Sequence, residues 1–192
     1  KLTNGILTLN SMDQKKNLLH ISVFDLNEVI RNTVASFEGI CTPRQISFQI
    51  TLTGERLPVL ADKEKIQQVL YNLIDNAIKF SRDGSVIELE SDIRHDKVFC
   101  TVRDHGAGIP RASLNKIWDR FYKSDASRGR ERKGNGLGLS IVKEIINQHK
   151  QTITVISTEG VGTEFIFSLK PAPEDLTEPA TITQASQQHD EF

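Results

Sequence analysis

The sequence predicts an α/β (α+β) sandwich, in which a mixed, mostly antiparallel sheet carries helices on one face. The predicted strands come in adjacent pairs instead of alternating one by one with helices, which argues against a doubly wound parallel sheet. A central helix with one broad apolar side supplies a surface that can pack on such a sheet. The chain has 192 residues, of which 38% are hydrophobic and 26% are charged. That length suits one domain of ordinary size with a tail.

Two helices and two strands are predicted ahead of the central helix. In the order helix, strand, helix, strand they span residues 1–16, 18–24, 25–41 and 46–52. Both strands alternate apolar and polar residues. The second helix begins at Asp25, with Glu28 three residues later as in a capping box, and it ends before Pro43. Asp62 is then the predicted N-cap of the central helix.

The central helix, QQVLYNLIDNAIKF at residues 67–80, has two unlike sides. The apolar side holds Ile66, Val69, Leu70, Leu73, Ile74 and Ala77, and a narrow polar stripe holds Gln68, Asn72, Asn76 and Lys79. Asparagine is a poor residue for a helix interior, because its amide competes for backbone hydrogen bonds. Two asparagines one turn apart are explained either by hydrogen bonds from the helix to a loop or by a cation and phosphate site. An amide oxygen is a ligand that Mg²⁺ accepts, and Mg²⁺ commonly bridges substrate phosphates.

Turn signals and periodicity divide the second half of the chain. The predicted strands span residues 85–93, 97–102, 152–157 and 163–169, and the first two of them form a hairpin. A short helix opens at Pro110, and a longer one runs from the GNGLGL segment to about His149. Between them, residues 119–136 form a long loop with six basic and three acidic residues. Loops of that length inside a compact domain are usually functional.

Composition limits the classes of protein to which the chain can belong. The net charge of −1 gives no general attraction to nucleic acid or to acidic membranes. Cys41 and Cys100 are expected to be reduced, buried residues, and the histidines and cysteines form no cluster with metal-ligand spacing. The sequence shows no signal peptide and no apolar run that could span a bilayer. Because it begins inside a predicted helix, we expect it to be part of a longer protein.

Two glycine-containing motifs have both a structural and a functional interpretation. GNGLGL at residues 134–139 is a plain helix start, or a phosphate cradle in which backbone N–H groups and the helix dipole attract anions. DHGAGIP at residues 104–110 is a turn with an Asx hydrogen bond, or a site where the Asp104 carboxylate accepts a hydrogen bond from an exocyclic amine. His105 is a further acid–base candidate in the second motif. The basic residues of the long loop are, taken alone, a solvated surface.

The segments NLIDNAIKF, DHGAGI, WDRFY, GNGLGL and GVGTEF follow one another in that order. Together they resemble the catalytic and ATP-binding domain of bacterial two-component sensor histidine kinases, within the Bergerat-fold (GHKL) superfamily. The resemblance covers about residues 21–170. It implies the Bergerat ATP-binding fold, with ATP and Mg²⁺ as cofactors. It also implies a protein histidine kinase that transfers the γ-phosphoryl group of ATP to a histidine, for phosphorelay in signal transduction.

The resemblance also implies roles for individual residues. Asn76 would be the Mg²⁺ ligand, with Asn72 close to the metal and the phosphates, and Asp104 would accept from the adenine amino group. Asn72, Lys79 and Lys123 would be catalytic, with both lysines reaching the phosphates. The remaining cofactor-binding residues would be Phe80, Gly106, Gly108, Ile109, Phe121, Tyr122, Gly134, Gly136, Leu137, Gly138, Leu139 and Thr163. Phe121 and Tyr122 would anchor a mobile lid over the nucleotide, at about residues 122–135.

In that family the phospho-accepting histidine lies in a dimerising helical hairpin, in a motif of the kind His-Glu-x-x-Thr-Pro. None of the five histidines here has that context. We therefore expect residues 1–20 to be the end of that hairpin with its linker, residues 21–172 the catalytic domain, and residues 173–192 a disordered polar tail. The implied partners are ATP, the chain's own dimerisation domain in a homodimer, and a cognate response regulator, without nucleic acid. The implied location is cytoplasmic, as the domain of a membrane-bound sensor.

Two alternatives from other functional classes remain within the same fold. One is an ATP-hydrolysing clamp, similar to gyrase B subunits and mismatch-repair ATPases. Such enzymes carry a glutamate where this chain has Asn72, and that glutamate activates water as a general base. An amide cannot take up the proton, which favours transfer to a separate imidazole. The other alternative is a nucleotide-dependent scaffold without catalysis.

Overall fold

The computed structural model describes residues 18–122 and 136–173. Within these ranges the strands are β1 (Ile21–Asp25), β2 (Ser47–Leu52), β3 (Pro58–Asp62), β4 (Val86–Arg94), β5 (Lys97–Asp104), β6 (Ile153–Thr158) and β7 (Gly162–Leu169). The α-helices are α1 (Leu26–Ala35), α2 (Glu38–Cys41), α3 (Lys63–Phe80) and α4 (Gly138–Gln148), and 3₁₀ turns span Thr42–Arg44 and Arg111–Ser113. The predicted helix at residues 1–16, most of the basic loop and the polar tail lie outside the described residues.

Five strands form one mixed sheet in the order β2-β4-β5-β7-β6. The β2–β4 pair is parallel, and the other three pairs are antiparallel. β1 and β3 form a separate antiparallel pair. The helices pack on one face of the large sheet, whose inner side chains join the same buried core as α1, α3 and α4. The predicted sandwich with a mixed, mostly antiparallel sheet is confirmed.

The central helix α3 is the element around which the core is built. All six residues of its predicted apolar side are buried, and Ile78 extends that side toward the end of the helix. Burying a large aliphatic side chain contributes roughly 1.5–3 kcal/mol, so this row of residues fixes how α3 sits on the sheet. Its polar stripe is left half-buried at the edge of the core. The stripe is therefore available to a site.

The sequence analysis did not predict β3. This strand has five residues, begins with Pro58 and runs directly into the N-cap of α3, so it has no room for a clear alternation. Its partner β1 holds it in register from Ile21 opposite Asp62 to Asp25 opposite Pro58. Because β3 leads straight into α3, this small sheet sets where the central helix begins.

The helix predicted over residues 25–41 is interrupted at Ser36 and Phe37. Thr33 donates its hydroxyl to the carbonyl of Val29, and Ser36 donates to the carbonyl of Thr33. Such back-bonding competes with the backbone ladder and bends helices, so α1 ends at Ala35 and α2 begins one turn later. The short helix expected after Pro110 is a 3₁₀ turn followed by further turns.

Both cysteines are free and buried, as expected. Burial raises the pKa of Cys100 to about 12, and burial also raises the pKa of Cys41, so the thiolate forms are disfavoured. In the described ranges no helix combines the length and the apolar character that a membrane crossing requires.

Candidate functional site

The two ends of α3 are held by side chains from distant parts of the chain. At its start, the Asp62 carboxylate accepts from the backbone N–H of Lys65 at 3.1 Å, which confirms the predicted N-cap. At its end, the Arg44 guanidinium donates to the carbonyls of Ile78 and Ser81, both at 2.7 Å. These carbonyls would otherwise lack intrahelical partners. The helix that carries the polar stripe is thereby fixed at both ends.

His149 connects the end of α4 to the start of α3. Its Nε2 accepts from the backbone N–H of Asp62 at 3.0 Å, so Nδ1 carries the proton and donates to the carbonyl of Ile145 at 2.8 Å. The other carboxylate oxygen of Asp62 accepts from the backbone N–H of His20 at 2.9 Å. Asp62 therefore joins the chain entering β1, the central helix and α4. The sequence analysis gave His149 no role.

The polar stripe of α3 faces the start of α4. Asn72 is close to Gly138, because a Cβ atom built on Gly138 would lie 3.5 Å from Asn72 Oδ1. Leu137, the N-cap of α4, makes no capping hydrogen bond with its side chain among the described residues. The start of α4 therefore lies next to Asn72, and N–H groups at a helix start attract anions. Asn76 lies one turn further along the stripe and is half-buried.

Lys79 pairs with Asp75, one turn earlier on α3. The two side chains are 27% and 34% exposed, so the ion pair is weakly stabilising and its cation can exchange partners. Lys123 and Gly134, the other residues expected near the phosphates, lie outside the described residues.

Asp104 ends β5 with its side chain in the interior, where the residue is 5% exposed. The backbone N–H of Gly106 donates to its carboxylate at 2.9 Å. Burial raises the pKa of Asp104 to about 6, against the opposing effects of hydrogen bonds from the Gly106 and Thr163 backbones and of nearby His105. At neutral pH the carboxylate is mostly ionised, and these hydrogen bonds offset only part of the cost of burying its charge. It is therefore a strong acceptor for a further hydrogen bond.

Gly106 and Gly108 let the loop after β5 lie against the chain's own backbone. A Cβ atom on Gly106 would be 2.2 Å from the carbonyl oxygen of Phe80, and one on Gly108 would be 2.1 Å from that of Thr158. Gly108 also has a φ of 68°, which other residues rarely adopt. The N–H of Ala107 donates to the Phe80 carbonyl at 3.2 Å. The loop is therefore clamped between the end of α3 and the end of β6.

Ser157 in β6 links this loop to the β6–β7 turn. Its Oγ lies 2.8 Å from the backbone nitrogen of Ile109, 2.8 Å from the carbonyl oxygen of Gly162 and 2.9 Å from Thr163 Oγ1. Thr163 is the register partner of Asp104 across β5 and β7, so the two side chains share one face of the sheet. Ser157 was missed because a serine in a strand has no signal of its own in a sequence.

His105 points away from this region. Its Nε2 lies 2.7 Å from Oε1 of Glu88. The other carboxylate oxygen of Glu88, Oε2, accepts a hydrogen bond from Arg103 at 2.8 Å. The hydrogen bond from His105, with the charges of Arg103 and His105, holds the pKa of Glu88 below its usual range. Glu88 and Arg103 are on the outer face of the sheet, and Asp104 is on the inner one. The acid–base option for His105 in the Asp104 site therefore finds no support.

The two ends of the basic loop meet. The N–H of Phe121 donates to the carbonyl of Gly136 at 2.8 Å, and the Tyr122 hydroxyl lies 2.9 Å from Ser113 Oγ. Phe121 itself is 63% exposed. Leu137 is buried, and Leu139 and Ile109 are partly buried against the core. Residues 121 and 122 therefore lie beside Gly136, just ahead of α4, and their role as the anchor of a lid stays a prediction.

The family described as "Histidine kinase-, DNA gyrase B-, and HSP90-like ATPase" matches residues 61–173, more than half of the chain. The chain belongs to this family. The match includes α3, the Asp104 loop, α4 and the last two strands, which together form the site described above. The resemblance stated from the sequence segments is thereby confirmed.

Family members similar to this chain include sensor histidine kinases. "Sensor histidine kinase WalK" of Bacillus subtilis (strain 168) is 33% identical over 171 residues, which are 88% of this chain and 28% of that protein. "Sensor histidine kinase YkoH" of the same strain is 36% identical over 163 residues, 85% of this chain and 35% of that protein. The chain thus spans about a third of the length of these relatives.

Solved structures agree in fold. A nucleotide-free catalytic domain of histidine kinase ThkA superposes with a TM-score of 0.71 at 32% identity, covering 80% of this chain and 97% of that chain. ThkA in complex with the response regulator protein TrrA gives 0.70 at 31% identity, covering 90% of this chain and 50% of that chain.

Proposed function

We propose that this chain is the ATP-binding catalytic domain of a sensor histidine kinase. It binds Mg-ATP and directs the γ-phosphoryl group to a histidine on a separate dimerisation domain. The observation that carries the proposal is the placement of Asn72, an amide on α3 directed at the start of α4 in a family that also contains hydrolytic ATPases. An amide cannot accept the proton of an attacking water. Transfer to a nucleophile that is already competent, such as imidazole, does not need that base.

The residues present fit the nucleotide. The Asp104 carboxylate is a buried acceptor for the adenine amino group, and the N–H groups at the start of α4 are donors for phosphate oxygens. Asn72 lies next to Gly138, at the start of α4. Lys79 would exchange Asp75 for a phosphate oxygen, since a partly exposed ion pair one turn apart on a helix costs little to break.

The proposed Mg²⁺ ligand is the side-chain oxygen of Asn76. In the described ranges no three His, Cys, Asp or Glu side chains come together as a metal site. An Mg²⁺ ion that bridges nucleotide phosphates needs only one or two protein oxygens and keeps several waters, which suits a single amide. The ion would offset the phosphate charge while the N–H groups of α4 orient the terminal phosphate.

A reconstitution experiment tests the proposed reaction. The chain is incubated with Mg-ATP, with and without a purified dimerisation hairpin that carries the acceptor histidine. We expect acid-labile phosphohistidine on the hairpin and negligible release of phosphate without it. Phosphate release without the hairpin would support a hydrolytic clamp instead, and binding with neither outcome would support a nucleotide-dependent scaffold. A membrane-bound sensor with this domain in the cytoplasm, and a response regulator as the next acceptor, belong to the same proposal.

A pair of variants tests the metal ligand. Asn76→Ala should weaken Mg-dependent ATP binding more than about tenfold, because it removes the amide oxygen, and should leave the circular dichroism spectrum unchanged. Gln68→Ala is the matched control, since Gln68 lies on the same stripe two turns away. An ATP affinity unchanged by Asn76→Ala in calorimetry would exclude the metal role. Loss of folding would instead favour the helix-to-loop hydrogen bond.

A further inference from the structure

The three hydrogen bonds of Ser157 determine where its hydrogen and that of Thr163 point. The N–H of Ile109 can only donate, and the carbonyl of Gly162 can only accept. Ser157 has one hydroxyl hydrogen, and its oxygen is 2.8 Å from the Gly162 carbonyl oxygen. Without a hydrogen between them, two oxygens at that distance would repel, so the hydrogen of Ser157 goes to Gly162. Both lone pairs of Ser157 then accept, one from Ile109 and one from Thr163.

Thr163 is consequently the donor in its 2.9 Å bond to Ser157. Its hydroxyl has only one hydrogen, so toward any other group the Thr163 oxygen can only accept. Thr163 is 6% exposed and lies opposite Asp104, which is 5% exposed. The side-chain polar groups of this pair, a carboxylate and an oxygen with only lone pairs available, are both acceptors. A base that presents an amino group matches them, and a base that presents a carbonyl oxygen does not.

We infer that Ser157 is a positioning residue for base selection, which keeps the Thr163 hydroxyl from donating and thereby makes the site select adenine over guanine. The inference rests on the proposed function, because it concerns the nucleotide that the same site binds. Ser157 itself need not touch the base. Its effect passes through the direction of one hydrogen bond.

The test measures dissociation constants for ATP and GTP, each with Mg²⁺, on the whole chain and on its variants. In Ser157→Ala the Thr163 hydroxyl is free to rotate and donate to the guanine carbonyl. The preference for ATP over GTP should then narrow by about two- to tenfold, the value of one neutral hydrogen bond. Ser157→Thr keeps the hydroxyl and should keep the wild-type preference. In a Thr163→Val background no hydroxyl is left to turn, so Ser157→Ala should not change the preference.

The outcomes separate this inference from the proposed function. A wild-type chain that binds neither nucleotide overturns both. A chain that binds ATP, but whose preference is the same with and without Ser157→Ala, overturns the inference alone. An equal change in the Thr163→Val background also overturns it, because Ser157 would then act only by supporting the loop.

Thr163→Val alone gives a second test that does not depend on the folding of Ser157→Ala. If the Thr163 hydroxyl only accepts, its removal weakens ATP binding more than GTP binding, and the preference for ATP over GTP narrows. If the hydroxyl instead donates into the site, its removal weakens GTP binding more than ATP binding, and the preference for ATP widens. A wider or unchanged preference would overturn the inference.

Discussion

The ionisation of Asp104 predicts how nucleotide binding depends on pH. With a pKa of about 6, the carboxylate is about nine-tenths ionised at pH 7 and about one-tenth ionised at pH 5. If the ionised form accepts from the adenine amino group, ATP affinity should fall about tenfold over that range. The protonated form carries an O–H that can donate to the guanine carbonyl, so GTP affinity gains from the same titration. The preference for ATP over GTP should therefore fall by at least about tenfold.

The assay is a competition titration of ATP against GTP at half-unit steps from pH 5 to pH 8, at constant ionic strength and Mg²⁺. The ratio of the two constants is the useful quantity, because titration of the triphosphate is common to both nucleotides and cancels. Calorimetry in buffers of different ionisation enthalpy gives an independent measure. Near pH 6, ATP binding should release about half a proton, since it selects the ionised carboxylate.

Asp104→Ala is the control and should weaken ATP by about 10- to 150-fold, the value of a hydrogen bond to a charged group. Its ATP-to-GTP ratio should be nearly independent of pH. A wild-type ratio that stays constant between pH 5 and pH 8 would refute the reasoning. So would an Asp104→Ala variant that titrates as the wild type does, because another group would then control base selection.

The same titration affects folding, with a defined sign. The pKa of Asp104 in the folded chain lies above its ordinary value of 3.8, so the folded chain binds this proton more tightly than the unfolded chain does. The contribution to stability is therefore fully present below about pH 3.8 and is lost as the pH rises through about 6. The difference between a pKa of 3.8 and a pKa of about 6 corresponds to roughly 3 kcal/mol of stability. Urea unfolding of the nucleotide-free chain should show this slope, and Asp104→Ala should lack it.

Two further predictions concern the anchoring of α3. His149→Ala should lower the free energy of unfolding by about 1–3 kcal/mol, since the buried N–H of Asp62 loses its acceptor. His20→Ala should change the free energy of unfolding by less than about 0.5 kcal/mol, because only the backbone of His20 bonds to Asp62. Equal losses of stability for His149→Ala and His20→Ala in urea titrations would contradict this. Arg44→Lys should cost about 1–3 kcal/mol, because an ammonium cannot replace a fork that reaches two carbonyls and Asp83. A midpoint unchanged in thermal unfolding would rule out that role.

Much of the fold could be predicted because the period of apolar residues follows the secondary structure. The apolar side of α3, its N-cap at Asp62 and the β4–β5 hairpin were all readable in this way. β3 was not, since five residues between a turn and a helix cap are too few for a period to be visible. The interruption at Ser36 was also missed, because it depends on which carbonyl a hydroxyl chooses. A choice between two hydrogen-bond acceptors leaves no periodic pattern in a sequence.

The residues of the site also fall into those that a local sequence pattern indicates and those that it does not. Asp104, Gly106 and Gly108 stood out because DHGAGIP places a carboxylate beside two glycines at a strand end, and the family resemblance then supplied their expected roles. The structure adds that the two glycines admit the chain's own carbonyls from Phe80 and Thr158. Arg44 and Ser157 could not be found from local patterns. Arg44 acts on residues more than 30 positions away, and Ser157 reaches Ile109 from 48 positions away.

The anchoring of α3 connects folding to the proposed function. The helix contributes buried side chains to the core on one side and Asn72 and Asn76 to the site on the other, so a small rotation would move both. Its start is tied through Asp62 to the chain entering β1 and, through His149, to the end of α4. The two helices that face each other across the site are thus joined at the end remote from Gly138. A displacement of His20 would therefore reach the first turn of α3 through the carboxylate of Asp62.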